Sequence, residues 1–178
     1  MPKLYMASLA DYNNGELVGS WVDLESEDVD DNRDAINAAR AVLLARSPQR
    51  GEETAWHDTH GWEGVAIGEH DSDERVSVVA ALLNEHSEAF AAWYSRFDGA
   101  YLQPDQLAEN FAESYVGTYD SAADYCEQSF IETTENGEEL LSNPPYCYID
   151  WSRMANDLEC EGWTFADINN WRVAVFAP

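Results

Sequence analysis

Two short apolar runs, at residues 4–10 and 17–22, flank a polar stretch of Asp11, Tyr12, Asn13, Asn14 and Gly15. This pairing restricts the start of the chain to few local structures. In the first run Leu4, Met6, Ser8 and Ala10 alternate with Tyr5, Ala7 and Leu9, the period of a strand with two distinct faces. Leu17, Val18, Trp21 and Val22 supply the second run. Asn14 and Gly15 tolerate a positive φ, which a tight reversal demands. A β-hairpin around Asn-Asn-Gly is therefore expected. The apolar runs are too short, and the segment too polar, for a signal peptide.

Charge is the second constraint. Thirty-five Asp plus Glu oppose nine Lys plus Arg, a formal net charge of −26. Self-repulsion of that size works against a compact state. It disfavours direct binding to nucleic acid or an anionic membrane, and favours a strongly basic partner, a cationic ligand or a high-salt habitat. A core is nonetheless affordable, because 45% of the 178 residues are hydrophobic and seven are Trp. The three cysteines, Cys126, Cys147 and Cys160, show no paired spacing and fit a reducing compartment. Placement of charge is uneven. Arg33, Arg40, Arg46 and Arg50 cluster early, whereas no Lys or Arg lies between Arg96 and Arg153, an interval with twelve Asp or Glu.

Taken in order, residues 25–31 form an acidic lead-in. Asp31 or Asn32 is expected to cap a helix that passes through Ile36, Ala39, Val42 and Leu43 and stops at Ser47 and Pro48. Its near balance of acid and base suits a scaffold. Residues 54–60 read as a strand ended by Gly61, and residues 64–67 as another. Ser72 opens a helix with Val76, Val79, Ala80 and Leu83 inside. Residues 84–87 interrupt it. Phe90, Trp93 and Phe97 continue the stripe until Asp98 and Gly99. Pro104 starts a third helix that buries Leu107, Phe111 and Tyr115. A strand at 116–119 follows. Ser121 then precedes a helix with Ala123, Cys126 and Phe130 inward, broken at Asn136 and Gly137. Residues 148–158 read as helical up to Gly162. Residues 163–168 and 172–176 read as a hairpin around Asn169 and Asn170. The fold class expected is α+β, an elongated chain of three small units. These are an N-terminal α+β unit (1–71), a central helical unit (72–115) and a C-terminal α+β unit (116–178).

Asp105, Glu109 and Glu113 stand four apart and so share one face of the third helix, roughly 6 Å apart along its axis. Asp120, Asp124 and Glu127 repeat the idea on the next helix. Fixed negative charges at that interval resemble the phosphates of a nucleic-acid strand. The plain alternative is a solvated helix face. Metal sites are poorly supported. Asp28, Asp30 and Asn32 begin like a calcium loop, but Arg33 replaces the Gly and Ala39 the closing Glu. His57, Asp58 and His60 lack partners at zinc-ligand spacing. No phosphate loop, Ser elbow or dinucleotide fingerprint is present, so neither an enzyme nor a cofactor is expected. Two alternatives to mimicry are an acidic chaperone or inhibitor of another basic DNA-binding protein, and a halophile-adapted protein of unrelated function.

The ordered set Tyr5, Ala7, Leu9, Tyr12, Asn13, Gly15, Glu16, Leu17, Gly19 and Trp21 resembles the opening of the ArdA family of antirestriction proteins. A weaker echo lies at Ala55, His57 and Asp58. Another runs through Tyr148, Ile149, Asp150, Trp151, Met154, Asp157 and Leu158. The resemblance implies an acidic mimic of double-stranded DNA that competes for type I restriction–modification enzymes. It further implies a cytoplasmic homodimer, joined through the third unit, that protects incoming mobile DNA. Asp105, Glu109, Glu113, Asp120, Asp124 and Glu127 are the expected contact surface. Because no ligand set has acceptable spacing, chelation should leave the circular dichroism spectrum and thermal midpoint unchanged. A stoichiometric metal found by elemental analysis would contradict that.

Overall fold

The computed structural model describes residues 1–51, 53–168 and 171–178. Its helices and two small antiparallel sheets make an α+β protein. The chain divides into two compact units, Met1–Glu109 and Asn110–Pro178.

In the first unit, β1 (Lys3–Ser8) is the central strand of a sheet ordered β2-β1-β3, with β2 at Gly19–Asp23 and β3 at Thr54–His60. Leu4 and Met6 are fully buried, and Val22 and Trp56 join them on the inner face. Both neighbours run antiparallel to β1. Tyr5 faces Trp21 on one side and Asp58 on the other. His57 is the extra residue of a bulge, since Met6 pairs with Trp56.

The strand pair expected at the start is present, but not its tight turn. A short helix, α1 (Leu9–Asn13), connects the strands. Ser8 caps it by accepting from the Asp11 amide at 3.4 Å. Asn14 has an ordinary φ of −88°, and only Gly15 is left-handed, at +86°. What overrides the local turn preference is Asp11, whose side chain is fully buried. Its carboxylate accepts from the Ser47 hydroxyl and, at 3.0 Å, from the Gln49 amide. That ties α1 to the end of the next helix. Burial would raise the Asp11 pKa, but the hydrogen bonds from Ser47, Ser8 and Gln49 hold it below the ordinary carboxylate range.

That helix, α2 (Val29–Arg46), starts earlier than the sequence suggests. Asp28 is the cap, accepting from the Asp30 amide at 2.7 Å and the Asp31 amide at 3.4 Å. Asn32, one of the expected caps, is buried instead. It clasps Ser26 through both side-chain atoms, at 2.8 and 3.2 Å. The strand expected at 64–67 does not form. Glu63 and Gly64 both have positive φ, 49° and 88°, which an extended strand cannot accommodate.

Helix α3 (Asp73–Arg96) begins at Ser72 as expected and packs against α2. The expected interruption appears as a kink at Ser87, with φ 47° and ψ −123°. Asn84 donates to the Leu24 and Ser26 carbonyls at 2.8 and 2.9 Å, fixing the helix where it bends. Arg40 of α2 forks onto Asp73, both bonds at 2.6 Å. Arg75 donates to the Leu102 and Gly99 carbonyls at 2.7 and 2.9 Å. Helix α4 (Pro104–Ser114) buries Leu107 and Phe111, and the division between units falls inside it.

In the second unit β4 (Tyr115–Tyr119) is followed by α5 (Ala122–Thr133), α6 (Gly137–Leu141) and α7 (Trp151–Cys160). Strands β5 (Thr164–Ile168) and β6 (Arg172–Phe176) complete a sheet ordered β4-β6-β5. β6 is central and carries four successive buried residues, as a strand covered on both faces does. Tyr125, Cys126, Ala155, Val173 and Val175 form the core, flanked by Trp151, Trp163 and Phe165. Tyr115, expected to be buried in a helix, is half-buried and opens β4, its ring stacked on Phe111 at 4.8 Å. On α5 the buried residues are Tyr125 and Cys126, while Ala123 is half-buried. Helix α7 starts at Trp151 rather than Tyr148, because Asp150 caps it at 3.0 Å from the Arg153 amide. The expected terminal hairpin is present as β5 and β6. Its turn residues, Asn169 and Asn170, lie outside the described residues.

The buried Asp11 gives a test with a defined sign. Its folded-state pKa is lowered, so its contribution to stability is full above the unfolded-state pKa and is lost as pH falls through the folded value. Asp11→Asn should lower the thermal midpoint by several degrees at pH 7. The gap from the wild type should narrow below about pH 4, the ordinary Asp range. Calorimetry across pH checks this.

Candidate functional site

The surface is dominated by carboxylates that the local structure turns outward. On α4, Leu107 and Phe111 lie four apart on the buried face. Asp105, Glu109 and Glu113 therefore fall on the opposite, exposed face. Asp105 sits in the first turn, where a negative charge is favoured by the helix dipole. Among the described residues none of these three carboxylates takes part in an ion pair. They stand roughly 6 Å apart along the axis.

The second row differs from its expected form. Asp120 is not on a helix; it lies between β4 and α5. Arg172 of β6 approaches it at 3.9 Å, placing a cation in space beside a segment that has none in sequence. Asp124 is half-buried and serves the start of α5. Its carboxylate accepts from the Asp120 amide at 3.3 Å and from Gln128 at 2.8 Å, while its own amide donates to Ser121 at 3.0 Å. Glu127 alone of this trio is exposed on the helix itself.

Further exposed acids follow that were not selected from the sequence, namely Glu132, Glu135, Glu138 and Glu139. The last two occupy the first turn of α6. Asn136, left-handed at φ 57°, and Gly137 start that helix rather than merely ending α5. The signal was Asn-Gly followed by Glu-Glu and then Leu140 and Leu141. Burial, and next the Glu132 carboxylate, push the Tyr119 phenol above its ordinary pKa. Across the whole sequence of the second unit, thirteen Asp or Glu face only Arg153 and Arg172, a formal −11.

Cations in the first unit are drawn into the scaffold. Lys3 pairs with Asp23 at 2.7 Å, Arg33 with Asp30 at 2.7 Å, and Arg40 with Asp73. Asp28, the first residue of the calcium-like run, caps α2. Among the described residues no group of three or more His, Cys, Asp or Glu is placed to hold a metal ion. His57 meets the Tyr12 ring edge-on at 4.7 Å, with Nε2 3.9 Å from Glu69. Among the described residues no helix is long and apolar enough to cross a membrane.

Fold and surface define an acidic α+β protein with its carboxylates outermost and many of its few cations engaged within the scaffold. The family profile of the antirestriction protein ArdA matches residues 4–169, nearly the whole chain. The chain thus belongs to the ArdA family of antirestriction proteins, which act against restriction–modification enzymes. No curated protein sequence matches it.

The two packed cores argue that folding does not wait for molar salt. A single cooperative transition is expected at about 0.15 M salt, with modest stabilisation as added salt screens the carboxylates. A protein unfolded until molar salt is added would show that the charge serves a saline habitat.

Proposed function

We propose that this chain mimics double-stranded B-DNA and competitively blocks the DNA-binding channel of type I restriction–modification enzymes. The observation that carries the proposal is the α4 row: three exposed carboxylates at helical spacing, unpaired among the described residues. A cationic channel that binds DNA gains affinity by releasing the counterions of phosphates. A protein bearing fixed carboxylates at comparable spacing releases its own counterions in the same way. Asp105, Glu109, Glu113, Asp120, Asp124 and Glu127 are the proposed contacts, with Asp105, Glu109, Glu113 and Glu127 contributing most. Arg172 offsets Asp120, and Asp124 is engaged in the α5 cap. Family membership supports an antirestriction role. The finer reading is a cytoplasmic homodimer joined through residues 116–178, protecting incoming mobile DNA.

Neutralising all six, as Asp→Asn and Glu→Gln, should weaken binding to a type I restriction–modification complex. It should also flatten the salt dependence by about 3 to 5 units of log–log slope. Single changes should have little effect, and Asp120→Asn least. The control neutralises Glu16, Glu25, Glu27, Asp30, Asp31 and Asp34, all exposed acids before Arg50. Binding across salt concentrations, with circular dichroism to confirm folding, decides between them. Equal losses from both sets would reduce the mechanism to net charge. Loss from the control set alone would move the mimic surface to the first unit.

A further inference from the structure

The outer face of the first sheet carries a feature that a row of carboxylates does not need. Trp21 is 46% exposed although it stands on a strand whose neighbour Val22 is buried. Its ring meets Tyr5 edge-on at 5.6 Å. The Tyr5 ring in turn lies over Gly19, where a Cβ would come within 2.5 Å of Tyr5 Cε1. Any larger residue at 19 would displace the ring. Glycine, tyrosine and tryptophan thus form a fixed aromatic platform open to solvent.

Strand register sets what surrounds it. Trp21, Tyr5 and Asp58 form one row across the three strands, and Asp23, Lys3 and His60 the next. A depression of about 460 Å³ is lined by Lys3, Trp21, Asp23, Asp58, Thr59 and His60. Lys3 and Asp23 neutralise each other at 2.7 Å. Asp58 has no cation partner among the described residues. One of its oxygens accepts from the Thr59 amide at 2.8 Å, and the side chain is exposed. The local excess is therefore one carboxylate beside an exposed indole.

We propose that this face docks an arginine side chain from the protein partner, with its guanidinium on the Trp21–Tyr5 platform and its fork on Asp58. Exposed aromatic surface next to an uncompensated carboxylate is complementary to a cation that is planar, weakly hydrated and able to stack. An ammonium can also sit over an aromatic face, but it is more strongly hydrated and can neither stack flat nor fork onto a carboxylate. Charge complementarity extends beyond the pocket, since the sequence of the first unit holds twenty-two Asp or Glu against seven Lys or Arg. The proposal rests on the mimic reading for the partner's identity. Within that reading it adds a short-range contact, specific to one side chain, to a long-range field.

Two measurements test it. The protein is titrated with a Gly-Arg-Gly peptide and with Gly-Lys-Gly, following the Trp21 indole N–H by NMR, assigned with Trp21→Phe. The arginine peptide should shift that resonance at millimolar concentration, the lysine peptide less, and Asp58→Asn should reduce the shift. Then Trp21→Ala and Trp21→Leu are compared with wild type for binding to the type I complex. Affinity should fall roughly 5- to 30-fold with an unchanged salt slope, because no charge is removed. Asp58→Asn should lower both affinity and slope. No indole shift with arginine overturns the proposal, as does wild-type affinity in both Trp21 variants. If the Trp21 variants instead change the oligomeric state in sedimentation, the face belongs to a second copy of this chain and the proposal fails. If wild type does not bind the type I complex at all, the mimic reading fails, and the peptide titration alone decides the arginine site.

Discussion

Mutual repulsion among the carboxylates governs how this chain is built. With a formal charge of −26, an acid placed inward costs desolvation and one placed beside another costs Coulomb energy. The structure meets both costs in the same manner in each unit. Short helices and strands turn aromatic and aliphatic residues inward, around Trp93 and Phe90 in the first unit and around Tyr125 and Val175 in the second. Acids go to exposed faces or to helix starts, where Asp28, Asp124 and Asp150 accept backbone amides or support the cap. Among the described residues Asp11 is the exception, buried because Ser47 and Gln49 satisfy it.

The same constraint makes the charge usable. An acid whose repulsion is relieved by a local cation presents little field. In the first unit Lys3, Arg33 and Arg40 play that part. On α4 no such partner occurs among the described residues, so Asp105, Glu109 and Glu113 keep their full charge at the surface. A field of this kind reaches about a Debye length, roughly 8 Å at physiological salt, and is indifferent to the chemistry of the cation it meets. The Trp21 platform acts at contact and is selective, which is why the two contributions separate in salt dependence.

Much of the fold could be read from residue order. Ser72 and Ser121 start helices where their side chains predict, and the strand at Thr54–His60 ends at Gly61 as its left-handed preference requires. The missed turn and the missed cap share a physical cause: a local signal was overruled by a partner distant in sequence. Asn13, Asn14 and Gly15 favour a tight turn, yet Ser47, thirty-six residues from Asp11, stabilises a helix there. Asn32 resembles a cap, but it is buried with its side-chain amide donating at 3.5 Å to the Ser77 carbonyl of α3, forty-five residues on. At the surface, helical spacing placed the α4 row correctly because a single helix decides it. Asp120 could not be placed that way, since the cation beside it, Arg172, arrives through strand pairing between β4 and β6.

Under the proposed mimicry, protein and DNA compete for one site on the restriction–modification enzyme. The direct measurement is equilibrium binding to a purified type I methyltransferase core already loaded with fluorescent duplex DNA. Mimicry predicts that the chain displaces the duplex completely, with an apparent affinity that falls in proportion to the DNA concentration and no ternary complex. A stable ternary complex, with the duplex retained while the protein is bound, would contradict it.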